Sequence, residues 1–245
     1  MTPPNVSMTA RERARAELTR EIKDEAKRQL ATAGADGLSL RAVARSLGMV
    51  SSALYRYFPS RDDLLTALII DAYNSLGAAV EEAIAAGSGD GGDVTGGGAR
   101  GQWTVACRRV RGWAREHPHE YALIYGSPVP GYQAPEATIG PASRVPVAFA
   151  GILRDAPGAV SSGAVSGGGQ PGGALTEQAA ALAAAMAADG LPGVGGDILV
   201  RAMIAWTQLF GMVSFELFGQ FVGSFDPADA FFEHAVAEMA SLVGL

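Results

Sequence analysis

The stretch Leu38–Leu68, L-S-L-R-A-V-A-R-S-L-G-M-V-S-S-A-L-Y-R-Y-F-P-S-R-D-D-L-L-T-A-L, constrains the fold more than any other part of the chain. It reads as three helical pieces separated by two tight breaks. Ser39 is placed to cap a short helix whose apolar positions Leu40, Val43, Ala44 and Leu47 form one stripe. Gly48 supplies a left-handed stop, so the chain turns sharply there. Ser51 or Ser52 caps a second short helix carrying Leu54, Tyr55, Tyr57 and Phe58. Pro59 ends that helix, because a proline disfavours helical geometry in the residue before it. Ser60, with Asp63 three residues on, opens a third and longer helix as a capping box. A helix, a short turn containing glycine and a second short helix make up a helix-turn-helix.

The rest of the chain offers helical signals and no strand alternation of any length, so the fold class is all-α. Thr9 and Glu12 form a second capping box, opening a helix expected over Ala10–Ala33. Ala14, Leu18, Ile22, Ala26 and Leu30 recur every four positions on its inner face, and charged residues crowd the outer one. The helix that begins near Arg61 runs to about Ala86, too long to serve the first motif alone. Two Gly-rich, low-complexity segments follow at 87–101 and 157–173, read as flexible connectors, and residues 1–8 as a disordered arm. Between and after them, helices are expected at about 102–116, 119–126, 142–155, 175–188, 198–221 and 227–243, the last capped by Asp226 with Pro227 in first position. The domain division is therefore 1–68 for the N-terminal unit, with its connecting helix, and 102–245 for a helical body.

Charge and composition narrow the function. The formal net charge is −6, yet residues 1–63 hold 11 Lys/Arg against 8 Asp/Glu, leaving the acidic excess in the remainder. A locally basic end on an acidic body confines attraction for nucleic acid to one face. The single cysteine, Cys107, excludes an intrachain disulfide and suits a reducing cytoplasm. No apolar leader is visible at the N-terminus. The longest uncharged apolar run of the C-terminal half, between Arg201 and Glu216, is too short and polar for a membrane span and reads as buried core. His117 and His119 flank Pro118 across a helix break without further ligands, so no metal site is expected. No nucleophile motif or paired-carboxylate arrangement points to an enzyme, and no cofactor is implied.

The first motif resembles the DNA-binding region of the TetR family of transcriptional regulators, on Leu38, Arg41, Val43, Ala44, Leu47, Gly48, Leu54, Tyr55, Tyr57, Phe58, Arg61, Leu64 and Leu65. A second likeness covers the body. H-P-H-E-Y-A-L-I-Y-G-S-P-V-P-G-Y-Q-A-P and W-T-Q-L-F-G-M-V-S-F-E-L-F-G-Q-F resemble the TetR C-terminal domain named for a Trp-His-Gly signature. Trp206 and Gly211 match that signature, and Phe210 stands where its histidine would be.

The resemblance implies a homodimeric repressor on a palindromic operator, released by a small apolar ligand. In a helix-turn-helix the second helix enters the major groove by its N-terminal residues. Ser51, Ser52 and Ala53 would therefore face base edges. By resemblance, Tyr55 and Tyr57 lie along phosphates, and Arg41 and Arg61 add phosphate or base contacts. Arg56 sits elsewhere on the same helix, and Arg11, Arg13 and Arg15 are further backbone candidates. Candidate pocket residues are Trp103, Trp113, Tyr121, Tyr125, Phe149, Trp206 and Phe210, with Tyr132, Gln208 and Glu216. The two C-terminal helices, through Phe210, Met212, Val213, Phe215, Leu217 and Phe218, and Phe231, Phe232, Val236, Met239 and Leu242, are the expected dimer interface. The competing reading is a DNA-binding regulator without a small-molecule ligand, controlled by a protein partner or by its own level.

Overall fold

The computed structural model describes residues 9–87, 98–156, 172–188 and 192–245. The expected arm at 1–8 and the greater part of the two Gly-rich segments lie outside the described residues. Within them the chain is helical throughout: α1 (Ala10–Ala33), α2 (Leu40–Ser46), α3 (Ser51–Leu54), α4 (Arg61–Gly87), α5 (Ala99–Glu116), α6 (Pro118–Tyr125), a 3-10 turn (Glu136–Thr138), α7 (Ile139–Arg154), α8 (Ala174–Ala188), α9 (Gly196–Leu217) and α10 (Asp229–Leu242).

Contacts divide the chain into two units, residues 1–72 with 119–138, and residues 73–118 with 139–245. The division falls inside α4, whose length had required two sets of neighbours. It also sends α6 and the proline-rich loop after it to the N-terminal unit, whereas the sequence places everything from residue 102 in the body.

In the N-terminal unit, Ile22, Ala26 and Leu30 of α1 share a core with Val43 and Ala44 of α2, Leu54, and Leu64, Leu65 and Leu68 of α4. The stripe on α1 is shorter than expected, because Ala14 is exposed and Leu18 half-buried. Tyr121 of α6 is fully buried. Lys27 pairs with Glu120 at 2.5 Å, Lys23 with Asp71 at 2.5 Å, and the hydroxyls of Thr66 and Tyr132 meet at 2.9 Å.

The body packs α5 against α7, α9 and α10, with α8 lying along α9. Its core includes Leu76 and Val80 of α4, Ala106, Val110 and Trp113 of α5, Leu153 of α7, Leu209 and Val213 of α9, and Val236 of α10. At Gly77 a Cβ would stand 2.8 Å from the Cβ of Arg144, so only glycine admits α7 this close to α4. Arg144 spans that contact, donating to both Glu81 oxygens at 2.9 and 2.6 Å and to the Asn74 carbonyl at 2.9 Å.

Two helix ends differ from expectation. The final helix starts at Asp229, not Pro227: its first bond runs from the Phe232 N–H to the Ala228 carbonyl, and Asp226 does not cap it. α9 stops at Leu217 rather than 221, because the Gln220 N–H turns back to the Phe215 carbonyl at 2.8 Å and closes a Schellman motif. At its other end α9 extends past Arg201 to Gly196, so at 22 residues it, like α4, is long and apolar enough to cross a membrane. Both helices bury part of that apolar surface within their units.

The expected dimer surface is also redrawn. Phe210, Met212, Val213, Phe232, Val236 and Met239 are buried inside the protomer. The apolar residues left outward on and after α9 are Met203, Ile204, Phe215, Phe218, Val222 and Phe225.

Candidate nucleic-acid interface

The turn between α2 and α3 is built as the sequence requires. Gly48 adopts φ +66°, the Met49 N–H bonds the Ala44 carbonyl at 2.8 Å and the Gly48 N–H bonds Arg45 at 3.2 Å, a second Schellman motif. Ser39 caps α2 through the Ala42 N–H at 3.4 Å. α1 braces both ends of α2. Gln29 accepts from the Ser39 N–H at 3.3 Å, and the buried Glu25 carboxylate takes the Ser46 hydroxyl and, at 2.8 Å, Arg28 Nε. The Ser46 hydrogen bond, ahead of Arg28, holds Glu25 below the ordinary carboxylate range.

Beyond the turn, the regular helix is only Ser51–Leu54, and neither serine caps it. Val50 is the N-cap, without a side-chain bond, which leaves both hydroxyls outward. The chain stays coiled past Leu54: Tyr57 N–H bonds the Leu54 carbonyl at 2.8 Å and Phe58 N–H the same carbonyl at 3.1 Å, before Pro59 stops it. Leu54 and Phe58 point inward, so Ser51, Ser52, Tyr55 and Arg56 are exposed by geometry, with Ala53 and Tyr57 half-buried. Tyr55 is 41% exposed, which removes the possibility that it is a core residue. Arg41, one residue into α2, is exposed as well.

Two of the eight candidates are engaged within the protein. Arg61 donates to the carbonyls of Ala35 at 2.7 Å and Leu38 at 3.3 Å, with Asp62 3.5 Å away, so it ties α4 to the loop before α2. Tyr57 lies under the Arg15 guanidinium, 5.4 Å from the ring centre, and joins the first turns of α1 to the motif. The sequence reading misses Val50, 70% exposed at the head of α3. An apolar residue beside a helix start and outside every apolar stripe was the available signal.

In the body, α5, α7, α8 and α9 line an open cavity of about 350 Å³, whose lining includes the exposed Val147, Leu182 and Met203. Of the candidate pocket residues, Trp103, Phe149 and Trp206 line it, in edge-to-face contacts at 5.0 Å (Trp103–Phe149) and 6.2 Å (Phe149–Trp206). Phe210 stands behind that wall, its ring 4.3 Å from Trp206. Trp113 is core, donating its indole N–H to Ser75 at 3.0 Å. Tyr121 and Tyr125 pair at 5.2 Å in the N-terminal unit, where Tyr132 also belongs. Gln208 is exposed, and Glu216 accepts two bonds from Arg111 at 2.7 Å each. The missed wall residues are aliphatic ones such as Leu182, Met186 and Met203, which a search for large or polar groups passes over. Cys107 is fully buried, which pushes its thiol pKa up and leaves it inert. Among the described residues no group of three His, Cys, Asp or Glu side chains is arranged to hold a metal ion.

Comparison with known proteins agrees with both halves of this architecture. Residues 22–68 match the model of the bacterial regulatory proteins of the tetR family, and residues 103–239 match a tetracyclin repressor-like C-terminal domain. HTH-type transcriptional regulator Rv1816 of Mycobacterium tuberculosis is 39% identical over 218 residues, covering 85% of this chain and 84% of its own. The crystal structure of the putative regulatory protein SCO4313 superposes with a TM-score of 0.69 at 35% identity, over 94% of this chain and 98% of that one. A putative tetR family regulator from Shewanella sp. PV-4 shares the fold, with a TM-score of 0.54 at 16% identity over 92% and 95%. The chain belongs to the TetR family of DNA-binding, helix-turn-helix transcriptional regulators.

Proposed function

We propose that the protein acts in the cytoplasm as a repressor, binding a palindromic operator as a homodimer and leaving it when a small apolar ligand occupies the body. The observation that carries this reading is the surface around the Gly48 turn. Arg41, Ser51, Ser52, Tyr55 and Arg56 are all exposed there, while Leu54 and Phe58 of the same segment are buried. Small serines and the methyl-bearing Val50 and Ala53 suit the edges of bases, where thymine methyls and single hydrogen bonds are read. Arg41 and Tyr55 suit phosphates, which fix register without reading sequence. Arg61 and Tyr57 support this surface from behind.

The apolar face of α9 supports the homodimer. Met203, Ile204 and Phe215 are each about half exposed, at 52%, 50% and 53%, on one helix. A second copy related by a two-fold axis would cover the face and set two recognition helices about 34–36 Å apart. The cavity supports the ligand, and α4 supplies a route for its effect, because one continuous helix begins beside the recognition motif and ends in the body. A ligand that favours one setting of that helix shifts the population between bound and released forms.

Selection of DNA from a random pool gives the operator, expected as two inverted half-sites about 10–10.5 base pairs apart or a multiple of that spacing. On that operator, Tyr55→Ala and Arg41→Ala should each weaken binding about tenfold, the scale of one charge-assisted hydrogen bond. Both side chains are exposed, so the thermal midpoint should stay near wild type. Unchanged affinity in both variants would overturn the assignment.

A further inference from the structure

We infer that Arg61 is a positioning residue for operator binding: it fixes where α2 begins, and so where Arg41 meets the DNA backbone, without touching DNA itself. The inference rests on the reading of Arg41 as a phosphate contact given above. A guanidinium grips a phosphate through a fork of N–H donors that must be free to face it. In Arg61 all three nitrogens have partners within the protein. Nη2 donates to the Ala35 carbonyl at 2.7 Å, Nε donates to the Leu38 carbonyl at 3.3 Å, and Nη1 lies 3.5 Å from Asp62.

Those two carbonyls bracket the turn that leads from α1 into α2. The Leu38 N–H closes the turn on the Ala35 carbonyl at 3.3 Å, and a Cβ on Gly37 would run into that of Ala33, so the turn has no slack. The peptide unit between Leu38 and Ser39 is held from both sides. Its carbonyl accepts from Arg61 of α4, and its N–H donates to Gln29 Oε1 of α1 at 3.3 Å. Ser39 is the N-cap of α2, and the exposed Arg41 follows in the first turn. A helix start pinned to two neighbouring helices has the direction of its first turn fixed, and Arg41 inherits that direction. The other end of α2 is held separately, by Glu25 at Ser46. Arg61 and Gln29 therefore act on the Arg41 end of α2 and not on the Gly48 turn or the α3 surface beyond it.

Operator affinity of the full chain, measured by fluorescence anisotropy over a range of salt, tests this. Arg61→Met keeps the apolar stem and removes every donor, and should weaken binding about tenfold, the scale of one charge-assisted hydrogen bond. In an Arg56→Ala background it should cost the same. In an Arg41→Ala background it should cost no more than about twofold, because the residue it positions is gone. The slope of log affinity against log salt should there stay where Arg41→Ala leaves it. A further fall of about one would place Arg61 on a phosphate of its own. Gln29→Met removes the other hold on the same peptide unit without changing charge. It should cost about threefold, again only when Arg41 is present, and it decides the matter should Arg61→Met fail to fold. Equal cost in both backgrounds, that further fall in slope, or full affinity in Arg61→Met overturns the inference and leaves Arg41 its role. An Arg41→Ala variant that binds as tightly as wild type removes the parent reading, and the positioning role falls with it.

Discussion

In the N-terminal unit most polar ties join residues close in the chain: Thr9 with Glu12, Ser39 with Ala42, Ser60 with Asp63, Met49 with Ala44. In the body, beside ties of the same local kind, a set joins residues more than a hundred positions apart, as in Arg111 with Glu216, Arg108 with Glu233 and Arg100 with the Leu245 carbonyl. The difference matches what each unit has to hold. A recognition motif must fix the angle between two short helices, and caps and tight turns next to the breaks do that. A body with a cavity between its helices must instead hold long helices apart around the missing volume, which requires struts between distant segments. A loss in the body should therefore be large and spread, whereas a loss in the motif should be small and local.

The largest effect is expected at Arg111. Its guanidinium, 9% exposed, takes both oxygens of Glu216 on α9 and Asp229 Oδ1 of α10 at 2.9 Å. It also lies 4.7 Å from the centre of the Phe232 ring. Three helices meet on one side chain. Removing it leaves the half-buried Glu216 with only the distant Arg115, 4.0 Å away, so Arg111→Ala should lower unfolding free energy by about 3 kcal/mol. Urea denaturation measures this, and a loss below about 1 kcal/mol would show that the body does not depend on its struts.

This contrast also explains how far the sequence could be read. The breaks at Gly48 and Pro59, the caps at Thr9, Ser39 and Ser60, and the span of α1 rest on neighbours within a few residues, and all were legible. The pairing of Arg111 with Glu216 had no local signal, so Glu216 read as a pocket residue when it is a strut. The aliphatic half of the cavity was hidden for the same reason, since Leu182, Met186 and Met203 look like any core positions. Membership of α6 in the N-terminal unit was equally invisible, because it depends on Lys27 meeting Glu120 across 93 positions of chain. Within the motif, the reading erred on the cap of α3, which is Val50 and neither serine, and where side-chain direction mattered: it left Arg61 free and passed over Val50.

A middle-sized effect is expected at Gly48. Nothing lies within 4 Å of a Cβ built there, so the only penalty for a side chain is the left-handed backbone at φ +66°. Gly48→Ala should cost about 1.5 kcal/mol, the middle of the left-handed penalty for a non-glycine residue. Operator binding should fall with it, since the same turn sets the angle of α3. If the thermal midpoint falls while operator affinity does not, the turn serves stability alone, and the link from local ties to recognition geometry fails.

The smallest effect, and the most specific, is expected at Glu25. Its carboxylate lies against the C-terminal end of α2 and is held below the ordinary range by Ser46 first and Arg28 after it. A group whose folded pKa is depressed adds stability above its unfolded pKa and loses it as pH falls through the folded value. Glu25→Gln keeps the size of the side chain and removes the charge, so it should cost about 1 kcal/mol at neutral pH. That gap should close as both proteins are taken down through the carboxylate range, because protonated Glu25 and glutamine hold Ser46 and Arg28 equally poorly. Thermal midpoints of the two proteins at matched pH values test this directly. A gap that persists unchanged at acid pH would mean that Glu25 acts through its shape in the α1–α2 contact and not through its charge. The brace on α2 would then be one of packing, and the N-terminal unit would resemble the body more closely than its hydrogen bonds suggest.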